Sequence, residues 1–368
     1  MRIDRLDVYH VRMPLNYPWR TGHGEDPDIH SVLVRASAGE HSAWVESSPL
    51  QAPEYSPECA GTVFYLLKEF FGPYVVGRDY ESAPDVLARL ARFSGNPFAK
   101  GALELCWWAL QRAITGTPLH RLLGGPTREV AAGADIQVQD SLDILLQKVQ
   151  EAVDAGFPRI KLKARRGWDL AMMSAVRDAF PRAVFHMDFN ARYTRDDLPL
   201  FKALDRLQLA FFEQPLAFED LLGAAELRRQ IATPICLDEA IRSPVLMEQA
   251  IRLGACDYVN VKPARLGGLS ACVRVHDLCR EAGIKCWVGG MIESALGEAI
   301  CVELATLENF VYPADIFPSA RFYAPDLCEP AIELTPRVTF APYLGSLPAP
   351  NPERLARQTV QYAAVAPA

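Results

Sequence analysis

The sequence predicts an α/β protein: a parallel (β/α) barrel behind an N-terminal α+β capping domain. Three observations carry this. Lys163, Asp188, Glu213 and Asp238 follow one another at 25 residues, and Lys262 comes 24 residues later. Each closes a short apolar run (PRIKLKA, AVFHMDFN, LAFFEQP, TPICLDE, YVNVKPA), so a strand-plus-helix unit repeats and the charges mark the same place on each. In a parallel barrel that place is the C-terminal rim of the strands, where chemistry is built. Finally, the order of elements changes near Gly124-Gly125-Pro126 from strands followed by helices to strict strand–helix alternation.

Taken in order, 2–13, 31–37 and 42–47 read as strands from their alternation and β-branched content. Helical periodicity follows over 57–72, near 82–92 and over 98–115. In the last, Ala99, Ala102, Cys106, Ala109, Leu110 and Ala113 form an apolar stripe that Gly116 terminates. Barrel strands are expected at 130–138, 159–164, 183–189, 209–214, 234–238, 258–263, 285–290 and 310–315, with amphipathic helices such as SLDILLQKVQEAVDAG between them. The expected division is a capping domain over 1–125, a catalytic barrel over 126–320, and a proline-rich segment over 321–368 returning to the cap.

The composition is that of an ordinary globular protein, 50% hydrophobic and 23% charged over 368 residues. A net charge of −7 without a basic run argues against nucleic acid or an anionic membrane as partner. MRIDRLDVYHVRMP lacks the apolar core of a signal peptide, and no run of ~18 apolar residues is present to span a bilayer. Nine cysteines, an odd number without a CxxC pair and mostly in apolar segments, suit buried thiols in a reducing cytoplasm.

Lys161 and Lys163 alternate onto one face of their strand. Two inward lysines flanked by Ile160 and Leu162 are costly unless they serve the barrel mouth, and each makes its neighbour harder to protonate, so the pair lowers the pKa of one amine toward that of a general base. Asp188, Glu213 and Asp238 leave three consecutive strands and make an all-oxygen set suited to Mg²⁺, with Mn²⁺ as a substitute. Any one of them alone reads equally as a helix cap or surface acid; three in register do not. A base beside a divalent cation suits removal of a proton α to a carboxylate, the metal stabilising the enediolate, while Lys262 faces the same centre from across the barrel. His186 reads as a packed histidine rather than a ligand, and His276 as a surface residue of an outer helix. Arg265 either sits beside Lys262 or binds an anion.

The order KxK, DFN, EQP, DE, KP, GG resembles the enolase superfamily and its muconate-lactonizing subgroup, a pairing of lysine base and Mg²⁺ that is among the known patterns of tuned acid–base sites. RIKLK with GWD, TPICLDE, KPARLGG, GGMIES, GNPFAKGALE and PLHRLLGG are similar to the branch holding o-succinylbenzoate synthases and N-acylamino acid racemases. The resemblance covers nearly the whole chain. It implies a modified TIM (β/α) barrel, metal ligands at Asp188, Glu213 and Asp238, and an acid/base pair of Lys163 and Lys262 with Lys161 tuning Lys163. Asn190, Glu239 and Arg265 would support that set from behind. Gly289 and Gly290 would let the backbone approach a substrate carboxylate, with Met291 and Glu293 beside them. Trp19, Thr21 and His23 lie in WRTGHGEDPDIH, a loop that in the family folds over the barrel mouth. The implied activity is dehydration to o-succinylbenzoate on the menaquinone route; N-acylamino acid racemisation, dipeptide epimerisation and muconate-type cycloisomerisation are the alternatives. A small-molecule carboxylate is the implied partner, and a symmetric homo-oligomer the implied assembly.

The chain departs from the family in its first barrel strand, where small residues give way to Asp135 and Gln137, which would line the pocket. The mandelate racemase pattern needs a histidine on the seventh strand, and KCWVGGM has none. Two rivals from other classes are a non-catalytic barrel, which would have broken at least one of the five positions, and a Schiff-base aldolase, which needs no carboxylate trio.

Overall fold

A computed structural model describes residues 1–20 and 24–367. In the cap, β1 (Arg5–Arg20), β2 (Glu25–Ala38) and β3 (His41–Ser47) form an antiparallel meander. The hairpin is longer than the sequence alternation suggests: Trp19 pairs with Asp26 and Arg20 with Glu25, so much of the expected loop WRTGHGEDPDIH is strand. Its polar composition hides the pairing, because this end of the ladder projects beyond the sheet's apolar core.

Helix α1 (Pro97–Thr115) packs on β3 with Phe98, Ala99, Ala102, Leu103, Cys106 and Leu110 buried, and ends at Gly116 with φ 65°. The expected helix over 57–72 is broken into Ala60–Leu66, a π-helical turn at Leu67–Phe71 and Gly72–Val75.

Seven parallel strands then run in sequential order: β4 (Ala134–Ile136), β5 (Ile160–Lys163), β6 (Phe185–Asp188), β7 (Phe212–Glu213), β8 (Ile235–Leu237), β9 (Tyr258–Val261) and β10 (Lys285–Val288). Two expectations are corrected here. The segment 130–138 splits, since Val130–Ala131 pairs antiparallel with Thr339–Phe340 before β4 begins. Among the described residues 310–315 forms no regular strand; it closes the barrel through single parallel bridges, Phe310 to Cys286, Asp315 to Gly289 and Ala314 to Ala132. Pro313 lacks the amide that a continuous ladder needs.

Outer helices α2 (Leu142–Asp154), α3 (Asp169–Ala179), α4 (Leu198–Leu204), α5 (Leu221–Arg228), α6 (Pro244–Leu253), α7 (Leu269–Glu281) and α8 (Ala295–Ala305) follow the strands. β11 (Thr359–Val365) then adds to β1, antiparallel, on the open edge of the cap sheet.

Carboxylates of the cap fasten the two layers together. Glu104 of α1, fully buried, accepts from the Leu269 and Ser270 amides at the start of α7 at 2.8 Å each. Glu46 of β3 accepts from the Ser294 amide at 3.1 Å and the Gly297 amide at 3.3 Å at the start of α8. Both occupy the positive end of a barrel helix, where an anion is stabilised by unpaired amides. Eight of the nine cysteines are buried and all are free.

His276 is not a surface residue: it is 2% exposed on α7, with Nε2 accepting from the Asn309 amide at 2.9 Å. Its ring lies against Phe310, so it anchors the loop before the closing segment.

Candidate active site

The strand ladder sets the register of the charged rim. Lys163 pairs with Asp188 and Asp188 with Glu213, so three charged side chains stand level on neighbouring strands. Asp238 and Lys262 directly follow β8 and β9. The rim backbone is unusual: Asn190, Ala191 and Gln214 have φ of 45°, 59° and 37°. Non-glycine residues in this region persist only where surroundings impose them. Gln214 shows how, since its Oε1 accepts from the Asp238 and Ala240 amides at 3.0 Å each and so holds the end of β8 to the end of β7.

The acids and amines interlock. Lys163 Nζ lies 2.8 Å from Asp188 Oδ2, and Lys161 Nζ contacts Asp188 at 3.0 Å, Glu213 at 3.1 Å and Asp315 at 2.9 Å. Lys262 Nζ is 3.1 Å from Asp238 Oδ2, and Arg265 also pairs with Asp238. Asn190 donates through its amide and Nδ2 to both Asp188 oxygens, at 3.0 and 3.1 Å.

Burial alone would raise the Asp188 carboxyl, yet the ammonium groups of Lys161 and Lys163 hold it well below the carboxylate range. Burial would lower the Lys161 amine, but the charges of Asp188, Asp315 and Glu213 hold it well above its usual value. Lys161 is thus held in its charged form by the acids around it, the form in which it is expected to act on Lys163. Lys262 is likewise raised, with burial opposed by Tyr55 and the nearby acids.

Between the lysines lies a cavity of about 90 Å³, bounded in part by Trp19, Asp135, Lys161, Lys163, Asp188 and Lys262. It is smaller than the ~300 Å³ at which small-molecule pockets usually begin. Asn190, Gly290 and Met291 also face it.

Among the described residues no group of three His, Cys, Asp or Glu side chains is arranged as a metal cluster, because lysines and Arg265 engage the carboxylates. The donor chemistry nevertheless fits a hard divalent cation: three carboxylates, all oxygen, at successive strand ends. Glu239 reinforces the fit. It is 4% exposed with both oxygens unpartnered, and burial followed by the Asp188 charge pushes its carboxyl up to about 7. Burial disfavours the ionised form of this carboxyl, and a cation bound nearby would favour it again.

Other predicted residues sit elsewhere. Gln137 does not reach the lysines; its Oε1 accepts from the Arg20 amide at 2.6 Å and it lines a neighbouring chamber. Asp135 does face the cavity, with Oδ2 3.9 Å from Lys163 and Oδ1 unpartnered. Glu293 turns away from it and accepts from the Met291 amide at 2.5 Å. Gly289 is required by packing, since a Cβ there would lie 2.1 Å from Asn260 Oδ1; at Gly290 it would lie 2.8 Å from the Asp315 carbonyl oxygen. His186 is fully buried, with Nδ1 3.0 Å from the Tyr312 hydroxyl and Nε2 3.3 Å from Glu213. Thr21 and His23 lie outside the described residues.

Sequence reasoning missed three contributors. Asp315 ends the eighth apolar run, the same position that marks the other rim acids, and that signal was available. Arg159, fully buried with a 2.5 Å ion pair to Asp315, precedes its strand's charged pair and carries no periodic mark. Tyr55 reaches from the cap to donate to Asp238 at 3.1 Å and lies under Lys262 at 4.9 Å. Nothing local in the sequence marks it.

A barrel with opposed lysines flanking rim carboxylates, under an α+β cap, defines a class of acid–base enzyme. Known proteins resemble this chain along most of its length. Residues 145–337 match the family model "Enolase C-terminal domain-like". The chain is 39% identical to the N-succinylamino acid racemase of Thermus thermophilus, over 90% of each chain. It is 37% identical to the o-succinylbenzoate synthase of Geobacillus kaustophilus, over 94% of this chain and 93% of that one. An enolase-superfamily protein from Listeria innocua superimposes with a TM-score of 0.95 at 30% identity, covering 100% of this chain and 99% of that one. The chain belongs to the enolase superfamily, and it is an enzyme of the lyase or racemase type.

Proposed function

We propose that this enzyme abstracts the proton α to a substrate carboxylate and forms o-succinylbenzoate by dehydration. The observation that carries the reading is the placement of Lys163 and Lys262 on strands either side of the rim carboxylates, both lining one buried cavity. Lys163, as the neutral amine, takes the proton, the enediolate then expels the β-hydroxyl as hydroxide, and Lys262, charged and held by Asp238 and Tyr55, stabilises the anion that develops. Asp188, Glu213 and Asp238 would hold Mg²⁺, which supplies electrostatic stabilisation of the enediolate when bound. Asn190 orients Asp188, and Trp19 with the cap excludes water from the lysines.

A second reading is racemisation of N-succinylamino acids. Two amines facing one cavity can each serve one enantiomer, and relatives of both names match at similar identity. A symmetric assembly and a cytoplasmic location belong to the proposal as well; among the described residues no helix is long and apolar enough to cross a membrane.

The test is turnover of the cyclohexadiene precursor to o-succinylbenzoate, run beside solvent deuterium exchange into N-succinylamino acids, each with Mg²⁺. Precursor turnover at a much higher kcat/KM supports the synthase; dominant exchange supports the racemase. Lys163→Ala should lower either by at least about 10³-fold. A fully active variant overturns the mechanism.

A further inference from the structure

A second chamber, of about 540 Å³, opens beside the lysine cavity and shares two wall residues with it, Trp19 and Asp135. The two spaces are neighbours across one indole and one carboxylate. Three cations line the chamber: Arg20, Lys148 and Arg321. Two are already satisfied. Arg20 pairs with Glu25 at 2.8 Å and Asp140 at 2.9 Å, and Lys148 with Glu151 at 2.7 Å.

Arg321 differs. Among the described residues no carboxylate lies within ion-pair distance of it, although its charge acts on the nearby Asp135 carboxyl, and its Nε is buried without a hydrogen-bond partner. It is nonetheless fixed. One terminal nitrogen donates to the Asp135 carbonyl oxygen, and the guanidinium lies 4.8 Å from the Phe317 ring and 5.2 Å from Phe322. Phe317 is itself a wall of the lysine cavity, and Trp19 stacks edge-on against Phe322 at 5.3 Å. A guanidinium held in place with unused donors matches the planar fork that recognises a carboxylate. A preorganised donor also loses little freedom when a ligand arrives.

The geometry points to Arg321 as the group that receives a second, distal carboxylate of the substrate, in the chamber next to the lysines. This rests on the proposed reaction, whose substrate already carries two carboxylates, and assigns the residue that meets the distal one: one carboxylate lies at the rim between Lys163 and Lys262, the other is carried past Trp19 to Arg321. Arg321 touches no reacting atom, and its effect falls on binding.

Deuterium exchange into N-succinylphenylalanine and N-acetylphenylalanine separates the alternatives, because the two differ at their distal end by a carboxymethyl group, which carries the second carboxylate. The wild-type enzyme with Mg²⁺ should favour the succinyl compound in kcat/KM. In Arg321→Gln that ratio should fall by at least about 30-fold, the loss expected on truncating one partner of a buried charge pair, mainly through KM. Arg321→Lys should recover part of the ratio. Equal losses on both substrates, with a lowered melting temperature, would assign Arg321 a structural role and overturn the inference; so would an unchanged ratio. Wild-type enzyme that neither exchanges either compound nor turns over the cyclohexadiene precursor would instead overturn the proposed reaction, an outcome distinct from both.

Discussion

Glu293 shows how a single side chain can be well placed in sequence and still point elsewhere. It sits in GGMIES beside the rim, yet its carboxylate faces the Met291 amide and a buried group formed with Glu46 and Glu298. Burial, offset in part by that amide and increased by Glu46, pushes its carboxyl up to about 7 from 4.5. A folded pKa above the unfolded one means that the neutral acid is favoured by folding. Its contribution is whole below about 4.5 and is lost as pH rises through about 7. Glu293→Gln should therefore flatten the decline in stability between pH 5 and 8 by roughly 3 kcal/mol. Denaturant melts at the two pH values check this, and parallel curves for both proteins would refute it. Asp135 carries the opposite lesson: the sequence marked it as out of pattern, and it does line the lysine cavity.

At the scale of elements, legibility followed periodicity. β5 to β9 were readable because each is an apolar run ending in a marked residue, and α1 because its stripe ends in a glycine whose left-handed backbone the turn demands. The hairpin arm at Trp19 and Asp26 was not, since its pairing is specified by the partner strand rather than by its own composition. The closing segment 310–315 failed for the reverse reason, an apolar run whose proline denies it a ladder. Gly101 is an element-scale requirement as well. A Cβ there would approach the Gly267 backbone to 2.9 Å, where α1 crosses the turn after Lys262. Gly101→Val should cost about 1–3 kcal/mol by overpacking and lower activity by shifting that turn. Thermal denaturation with a parallel assay tests it; a variant of native stability would remove the proposed contact.

Over the whole molecule, cap and barrel are joined by buried acids that finish barrel helices. Glu104 accepts from two amides of α7, from the Ser270 hydroxyl and from the Trp108 indole at 2.8 Å. Glu104→Ala strands these donors, and the expected loss is about 3 kcal/mol. Calorimetry would register it as a lower melting temperature, and retention of the wild-type value would show the join to be held elsewhere. Chelation of divalent metal from the purified enzyme should abolish turnover, with recovery on adding Mg²⁺; activity that survives exhaustive chelation would count against the carboxylate trio as a metal site.

The strand Thr359–Val365, paired with β1, sets an order on how the chain is made. Val8 meets Ala363 only after the barrel between them has been synthesised. Until then β1 presents an unpaired edge, the kind of surface on which a growing chain aggregates or pairs with a neighbour. Arg5 and Arg12 on that strand are charges of the sort that discourage edge-to-edge pairing. Completion of the cap sheet thus waits on residues that follow the whole barrel in the chain.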